Sequence, residues 1–304
     1  MRYFEDKAID PPKRKEVPIK KESKLFVSAR RVLAPLMRPL IERVPLFRML
    51  VLKMVSSSPT QQFRGLEYQV HPKDLGVTFE LASTGKYETL SLNTFLDSIQ
   101  IEDTVIDVGA HIGLYTIPLS QKVGYRGKVI SFEPHPDNYE LLKKNTSTHK
   151  CSNVTLMNAA LRNFEGESDL LASDYNTGDH SFHGLGNRKS IKVQCTTLDN
   201  VISPGEKVSA IKIDVQGGEA ETIQGMKRVL SDNPRMTILW ELSPEQMGKF
   251  GFSPLEFLNY LQSIGFYSST INEESGEVEQ REPQEILDNC PKRSYVNVIS
   301  KRWF

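Results

Sequence analysis

The apolar residues of this chain fall largely into short unbroken runs instead of an alternating pattern. The runs VIDV, AIKIDV and MTILWEL are typical of parallel strands that are buried on both faces. Segments with helical spacing separate these runs, and alternating β and α elements build a doubly wound, open sheet. The sequence therefore predicts an α/β fold with a mostly parallel sheet. We expect its strands at 104–108, 128–133, 153–158, 191–195, 208–214, 236–242, 265–271 and 294–300, and its helices at 114–122, 136–148, 219–231 and 254–264.

Two shorter stretches precede this core. FRGLEYQVHP and VTFELAST look like a pair of β segments, and a helix is predicted to begin near Tyr87. We therefore expect the main domain at residues 63–304 and a separate N-terminal extension at residues 1–62.

The extension is strongly basic. Between Lys13 and Lys53 it has twelve lysines and arginines but three glutamates, which is a net charge of +9. Residues 1–24 are rich in Lys and Pro, a composition typical of disorder. Residues 25–55 carry apolar clusters cut by prolines, which predicts short amphipathic helices. Two interpretations of these helices remain open: they pack on the main domain, or they lie on an anionic membrane surface.

The composition is that of an ordinary globular protein and disfavours several classes. The 304 residues are 38% apolar and 25% charged with a formal net charge of zero, which argues against a general nucleic-acid binder. No apolar run is long enough to predict a membrane-spanning helix, and the N-terminus lacks the apolar core of a secretory signal. The three cysteines lie far apart without metal-ligand spacing, which fits a reducing compartment. We therefore expect a cytoplasmic protein, with peripheral membrane contact through residues 25–55 as the open alternative.

A glycine turn after a buried strand carries the clearest chemical signal. The strand ends in Asp107, Gly109 and Gly113 follow, and the next strand ends before Glu133. Such glycines let the backbone approach a nucleotide, and an acid at the next strand end can accept hydrogen bonds from a ribose. A dinucleotide fingerprint would need glycines at positions 109, 111 and 114, but 111 is His and 114 is Leu. A dehydrogenase is therefore disfavoured.

Acidic residues recur at the carboxyl ends of the predicted strands. Asp107, Glu133, Asp214 and Glu241 all fall there, and these ends meet at one rim of an open sheet. Lys212 lies two residues before Asp214 and so faces the same side of its strand. Because a lysine in a buried strand needs a partner, we expect an ion pair of Lys212 with Asp214 or Glu241.

Taken together, these segments resemble the FkbM-type family of S-adenosylmethionine-dependent methyltransferases. The resemblance covers roughly residues 75–300 and leaves the N-terminal part outside. Two positions depart from the family's usual residues: His111 stands where Asn is usual, and Gln216 stands where Glu is usual. The matching segments are TGKYE (84–88), DVGAHIG (107–113), FEPHPDNY (132–139), NAALRN (158–163), NTGDHSF (176–182), TTLDN (196–200), KIDVQGGE (212–219) and WEL (240–242).

The resemblance implies a Rossmann-like class I methyltransferase fold that binds S-adenosylmethionine. It implies that Glu133 binds the ribose hydroxyls, that Asp107 lies near the methionine moiety, and that Asn158 and Ala159 lie beside the adenine. Glu88 either holds the methionine end or begins a helix, where an acid suits the helix dipole. The resemblance requires no metal. The cofactor-binding residues that we expect are Glu88, Asp107, Gly109, His111, Gly113, Glu133, Asn158, Ala159 and Asp214.

The resemblance also implies a small-molecule or glycan acceptor, with a hydroxyl group as the site of methylation. In-line methyl transfer needs an aligned acceptor and, for a hydroxyl, a group that takes its proton. Asp214 and His180 are the catalytic candidates, with His111 and His183 as weaker ones.

We expect the segment 172–192 to line the acceptor pocket through Asp174, Tyr175, His180 and Phe182. Two alternatives to O-methylation remain open. The chain could methylate a nitrogen of a protein or peptide with the same cofactor site, or it could be a non-catalytic methyltransferase-like scaffold tethered by its basic arm.

Overall fold

The computed structural model of the protein describes residues 44, 58–72, 74–173, 176–183, 188–290 and 294–303. The predicted helices of residues 25–55 lie outside this described part except for Val44. The first strand starts at Thr60, close to the predicted domain boundary.

Strands and helices alternate through most of the described chain. The strands are β1 (Thr60–Phe63), β2 (Leu66–Gln69), β3 (Thr104–Val108), β4 (Lys128–Phe132), β5 (Val154–Met157), β6 (Ala160–Leu161), β7 (Gly166–Ala172), β8 (Lys189–Thr196), β9 (Ala210–Ile213), β10 (Arg235–Leu242), β11 (Tyr267–Asn272), β12 (Glu277–Gln280) and β13 (Val296–Trp303). The helices are α1 (Val77–Thr84), α2 (Thr89–Asp97), α3 (Thr116–Val123), α4 (Pro136–Thr148), α5 (Leu198–Val201), α6 (Glu219–Gln224), α7 (Lys227–Asp232), α8 (Pro244–Lys249), α9 (Pro254–Ser263) and α10 (Pro283–Asn289).

Eight strands form the central sheet, in the order β12–β11–β13–β10–β9–β3–β4–β5. The strands from β10 to β5 are parallel to one another, whereas β13, β11 and β12 extend the sheet in antiparallel pairs. The predicted α/β fold with a doubly wound, mostly parallel sheet is confirmed. Its cause is burial on both faces: Val105 of β3 packs in one hydrophobic core and its neighbour Ile106 packs in the other.

A separate three-stranded sheet has the order β6–β8–β7. The predicted strand at 191–195 belongs to this sheet and not to the central one, so its expected place in the doubly wound core is wrong. Along β8, Val193 and Cys195 are buried while Lys192 and Gln194 are exposed. This alternation is typical of a strand with one face in water, unlike the strands buried on both faces.

The segment VTFELAST, predicted as a β segment, is the helix α1. The carboxylate of Asp74 accepts hydrogen bonds from the backbone N–H groups of Gly76 and Thr78, at 3.2 and 2.7 Å, and so satisfies two free donors at the start of the helix. Gly85 ends the helix in a left-handed conformation. The end signals therefore outweigh the β-branched residues inside the segment.

The predicted helix at 219–231 is two short helices, α6 and α7. The break occurs at Gly225, where a Cβ atom would lie 2.0 Å from the carbonyl oxygen of Arg162. Close packing against that backbone, and not an interrupted apolar pattern, separates the two helices. Among the helices of the described residues, none combines the length and the hydrophobicity that crossing a membrane requires.

Candidate active site

A pocket of about 270 Å³ opens at the carboxyl ends of the central strands. Gly109 follows β3, Glu133 follows β4, Asp214 follows β9 and Glu241 lies near the end of β10, and all four line the pocket. Three of the four acids that we expected at one rim therefore meet here. Asp107 is fully buried beneath the rim and does not line the pocket.

The turn after β3 brings the backbone close to this pocket. Gly109 has a φ of +76°, and a Cβ atom there would lie 1.9 Å from the carbonyl oxygen of Asp214. No other residue fits, because the conformation is left-handed and the space is filled by backbone. Gly113 also has a positive φ, but its neighbours are the side chains of Leu142 and Ile117 and it does not line the pocket. Gly109 serves the pocket, and Gly113 serves packing behind it.

The carboxylate of Glu133 is held in a fixed direction by backbone donors. Its Oε2 accepts a hydrogen bond from the N–H of His111 at 2.8 Å, and its Oε1 accepts one from the N–H of His135 at 2.9 Å and a longer one from Asn138 Nδ2 at 3.4 Å. Burial raises the pKa of Glu133 to about 7, and these hydrogen bonds oppose the rise. Because a carboxylate offers about four acceptor positions, at least one remains for a ligand hydroxyl.

Lys212 lies beneath the turn, between two acids. Its Nζ is 3.6 Å from Asp107 Oδ1 and 3.7 Å from Asp214 Oδ2, and it donates hydrogen bonds to the carbonyl oxygens of Gly109 at 2.8 Å and Val108 at 3.3 Å. Burial alone would lower the pKa of Lys212, but the carboxylates of Asp214 and Asp107 outweigh burial and leave the pKa raised. The predicted pair of Lys212 and Asp214 is confirmed, and Asp107 is a second partner.

Asp107 is linked to the site by Thr116 and Lys212. Its Oδ2 accepts a hydrogen bond of 2.6 Å from Thr116 Oγ1, while its Oδ1 has no hydrogen-bond partner among the described residues. Burial raises its pKa, an effect that Lys212 opposes. The expected contact of Asp107 with the methionine moiety therefore remains a prediction. The ammonium of Lys212 lies between Asp107 and the pocket acid Asp214.

Glu88 occupies the corner between the pocket and a larger open groove of about 1470 Å³. Its Oε2 accepts a hydrogen bond from the hydroxyl of Tyr115 at 3.0 Å, and its Oε1 accepts one from Asn297 Nδ2 at 3.1 Å. Burial and then the charge of Asp214 raise the pKa of Glu88 to about 7. Glu88 itself lines the groove, whereas the preceding residue, Tyr87, lines the pocket. Glu88 lies at the start of α2, where its side chain makes no capping hydrogen bond, and its contact with the methionine end stays a prediction.

A loop at residues 176–183 covers the other side of the pocket, and Thr177 fastens it. The Thr177 N–H donates to Asp74 Oδ1 at 2.8 Å, its carbonyl oxygen accepts from Asn138 Nδ2 at 3.1 Å, and its Oγ1 lies 2.9 Å from His111 Nε2. One residue thus links the loop to three separate parts of the chain. His111 lines the pocket, and burial lowers its pKa to about 3.

His180 lies in the same loop and lines the pocket. Its Nδ1 accepts a hydrogen bond from the backbone N–H of Ser173 at 2.9 Å, and its ring stacks on that of His135 with 4.1 Å between centroids. Burial lowers the pKa of His180 to about 2, so the neutral ring dominates. With Nδ1 accepting, the neutral ring carries its proton on Nε2. In this tautomer Nε2 is a donor, with no hydrogen-bond partner among the described residues, whereas the predicted catalytic role requires an acceptor.

Of the two residues expected near an adenine, one lines the pocket and the other does not. Ala159 lines the pocket, but Asn158 does not; its Nδ2 donates to the carbonyl oxygens of Glu133 and Pro134, at 2.8 and 3.2 Å. Asn158 therefore supports the end of β4, which carries Glu133.

Residues 107–267, just over half of the 304, match the family described as the Methyltransferase FkbM domain. The chain belongs to the FkbM methyltransferase family. It is 26% identical over 141 residues to the hexuronic acid methyltransferase AglP of Haloferax volcanii, a match that covers 46% of this chain and 56% of AglP. It is 25% identical over 158 residues to the methyltransferase sdnD of Sordaria araneosa, covering 40% of this chain and 60% of sdnD. Both matches span less than two thirds of the relative.

Two solved structures with a similar fold have lower sequence identity to this chain than these two relatives have. An rRNA methylase from Streptococcus thermophilus has a TM-score of 0.44 and 12% identity, covering 72% of this chain and 98% of that one. TYW2 of M. jannaschii, in complex with AdoMet, has a TM-score of 0.40 and 15% identity, covering 80% and 86%. These likenesses are too weak to say what this FkbM chain binds.

The loop side of the pocket includes a cation that the sequence pattern did not predict. Arg162 lines the pocket, pairs with Glu221 at 2.8 Å and lies 4.1 Å above the ring of Phe182, which also lines the pocket. Asp174 and Tyr175, expected beside Phe182, lie outside the described residues. The sequence does contain a signal for Arg162: it is a charged residue directly after the apolar run AAL, just as Lys212 is a charged residue within the apolar run AIKI. No cluster of His, Cys, Asp or Glu in the described ranges is arranged to hold a metal ion.

Proposed function

We propose that this chain transfers the methyl group of S-adenosylmethionine to a hydroxyl group of a sugar, a glycan or another small molecule. The observation that carries the proposal is the fixed carboxylate of Glu133, which lies beside the turn at Gly109. An acid at this strand end is suited to the hydroxyls of a ribose. Membership of the FkbM methyltransferase family supports the same reaction.

The charges around the pocket fit a cofactor that carries positive groups. S-adenosylmethionine has a sulfonium and an ammonium group. Asp214 and Glu241 line the pocket, and Asp107 and Glu88 lie directly behind or beside it, while Lys212 is shared between two of these acids. An excess of acids in a partly buried site attracts a ligand of opposite charge.

When bound, S-adenosylmethionine supplies a methyl carbon that is electrophilic because it is attached to a sulfonium. The residues of the chain orient and align the reactants. Glu133 binds the ribose, and Gly109 lets the backbone approach. Ala159 provides a small apolar surface on the side where the base of the nucleoside would lie.

Polar side chains on the opposite side of the pocket support a hydroxyl-bearing acceptor. Asp214, Gln216, Glu241 and Gln246 line this side, and their amide and carboxyl groups suit the donors and acceptors of a sugar. The name of AglP gives a hexuronic acid as its substrate. A hexuronic acid is therefore the acceptor with which we would begin.

The test is transfer of a labelled methyl group by the purified full-length chain. S-adenosylmethionine labelled in its methyl group is incubated with p-nitrophenyl glucuronide, with p-nitrophenyl glucoside and with a lysine- and arginine-rich peptide. We expect label on an oxygen of one of the glycosides. Label on the peptide alone would favour the N-methyltransferase alternative. Cofactor binding without label on any acceptor would favour the non-catalytic scaffold.

A further inference from the structure

Glu241 is a pocket acid to which no part in proton transfer has yet been given. It lies in β10, is 6% exposed and lines the pocket together with Asp214. Its Oε1 is 3.5 Å from the amide nitrogen of Gln216, which also donates to Asp214 Oδ1 at 3.0 Å. Its Oε2 accepts no hydrogen bond from any residue that the structure describes, although it is not sealed from solvent. One oxygen of Glu241 is thus held and the other is available.

The other candidates for taking a proton are already committed. Asp214 uses Oδ1 for the amide of Gln216 and has Oδ2 beside the ammonium of Lys212 at 3.7 Å. His180 uses its acceptor nitrogen for the N–H of Ser173. Of the three strand-end acids in the described pocket, Glu133, Asp214 and Glu241, Glu241 alone has an oxygen with neither a hydrogen bond nor a cation beside it among the described residues.

The two other histidine candidates, His183 and His111, fit the role of proton acceptor no better. His183 is exposed and packs edge-to-face on Phe250, with 4.3 Å between the rings, and it does not line the pocket. His111 directs its Nε2 to Thr177, and its Nδ1 is sealed from solvent with no hydrogen-bond partner among the described residues. Neither presents an accessible acceptor atom to a hydroxyl in the pocket.

We propose that Oε2 of Glu241 takes the proton of the acceptor hydroxyl, and that Gln216 is the residue that positions Glu241 for this step; the proposal rests on the function proposed above. The acceptor's O–H bond breaks as its oxygen forms the bond to the methyl carbon. The proton goes to Glu241, and the electron pair of the broken S–C bond stays on the sulfur. The proton then leaves to solvent through the pocket opening.

The amide of Gln216 explains how two acids share this corner. Gln216 lies at a φ of +55°, and its own Oε1 accepts a hydrogen bond from Gln246 Nε2 at 3.2 Å. That bond turns the Nε2 hydrogens of Gln216 toward Asp214 and Glu241. A carboxyl at position 216 would place a third acid here, so the amide suits a site in which Glu241 must ionise.

The charged surroundings predict a proton acceptor that ionises at higher pH than an exposed glutamate. Burial, and then Asp214, Glu219 and Glu88, raise the pKa of Glu241 well above its ordinary value, while Lys212 opposes the rise. Since the ionised form takes the proton, the rate must increase as pH rises through that pKa. The titratable groups that face Glu241 from neighbouring elements are Lys212 and Asp214 of β9 and the turn after it, Glu219 of α6, Glu88 before α2, Tyr295 before β13 and Cys290 after α10.

The test compares Glu241→Gln with Glu245→Gln, a matched change at an exposed glutamate of α8 that pairs with Lys249. Methyl transfer to whichever glycoside the wild type methylates is measured across pH, and affinity for S-adenosylhomocysteine is measured by calorimetry. We expect Glu241→Gln to lower kcat by about 100-fold or more and to remove the dependence on pH. We expect its affinity for S-adenosylhomocysteine to change by less than about tenfold, and Glu245→Gln to behave as wild type.

A second readout does not depend on turnover. In protein labelled with ¹³C at glutamate carboxyls, the signal lost in Glu241→Gln identifies Glu241, and we expect it to titrate above the exposed glutamates. A wild-type kcat and pH profile in Glu241→Gln would overturn the proposal while leaving the proposed function intact. An ordinary titration of the Glu241 signal would mean that Glu241 does not lie among the buried acids of the pocket, the premise of the proposal, and would also overturn it. A wild-type chain that binds cofactor but methylates neither glycoside would overturn the proposed function, and the role of Glu241 with it.

Discussion

The two sides of the pocket are held in place by different kinds of contact. On the side formed by β3, β4 and β9, backbone groups position the buried acids that follow the strand ends. On the side formed by the loop at residues 176–183, single side chains from distant parts of the chain position the loop. Glu133 receives hydrogen bonds from backbone N–H groups on its own rim, whereas Thr177 reaches Asp74, 103 positions away. We infer that the ends of β3 and β4 serve the cofactor, and that the loop serves the acceptor together with the polar side chains that follow β9, which it contacts through Ser181 and Gln216. A shared ligand suits a fixed backbone site, and a variable one suits exchangeable side chains.

The largest effect should come from removing the cation on the cofactor side. Lys212→Met would leave the buried carboxylate of Asp107 without its cation, at 3.6 Å in the native chain. We expect a loss of about 3–5 kcal/mol in the free energy of unfolding, measured by chemical denaturation, together with weaker cofactor binding.

The matched control is Lys192→Met, at an exposed lysine whose partner Asp169 is also exposed. It should change stability by less than about 1 kcal/mol. Equal stability of the two variants would show that Lys212 does not organise the cofactor side.

A smaller effect, with a defined pH dependence, should come from Glu133→Gln. Burial raises the pKa of this carboxyl from 4.5 to about 7. The folded chain therefore binds this proton more tightly than the unfolded chain does. The free energy of unfolding of the wild type falls as pH rises from about 4.5 to 7, because Glu133 must then ionise in a buried site. The unfolding free energy of Glu133→Gln relative to wild type should rise by up to about 3 kcal/mol across that window.

Comparing variant with wild type at each pH removes the contributions of the histidines, which titrate in the same range. Glu140→Gln on the exposed face of α4 is the control and should show no such trend. A flat difference for Glu133→Gln would mean that its carboxyl is not held as the structure shows.

The smallest effect should come from the acceptor side. Thr177→Val keeps the side-chain shape but removes the hydrogen bond to His111, worth about 1 kcal/mol. We expect the KM for the acceptor to rise several-fold while cofactor affinity stays constant. Thr155→Val, at an exposed position of β5, is the control. A loss of cofactor affinity in Thr177→Val would erase the distinction between the two sides.

The parts of the site that follow strand ends were predictable from the sequence. Gly109, Glu133 and Asp214 follow unbroken apolar runs, and parallel strands bring such positions to one rim. The expectation that Lys212 pairs with Asp214 or Glu241 followed from spacing and burial, because residues two apart share a face of a strand and a buried lysine needs a partner. These predictions depend on local pattern plus one topological rule.

The rest depends on contacts that leave no local pattern. The helix α1 begins because Asp74 satisfies its first N–H groups, and the same carboxylate holds Thr177. The stacking of Arg162 on Phe182 joins residues 20 positions apart across a loop. The hydrogen bond that assigns the proton of His180 comes from the backbone of Ser173. Such pairs are set by three-dimensional packing, so residue type and spacing alone do not reveal them.

The most direct test of the central claim is calorimetric titration of the full-length chain with S-adenosylmethionine and with S-adenosylhomocysteine, repeated on Glu133→Ala and on Glu140→Ala. We expect wild type and Glu140→Ala to bind both compounds with micromolar affinity, and Glu133→Ala to lose at least about 2 kcal/mol of binding free energy, since it removes charge-assisted hydrogen bonds to the ribose. Unchanged binding in Glu133→Ala, or no binding by the wild type, would contradict the claim that this strand-end pocket is the cofactor site.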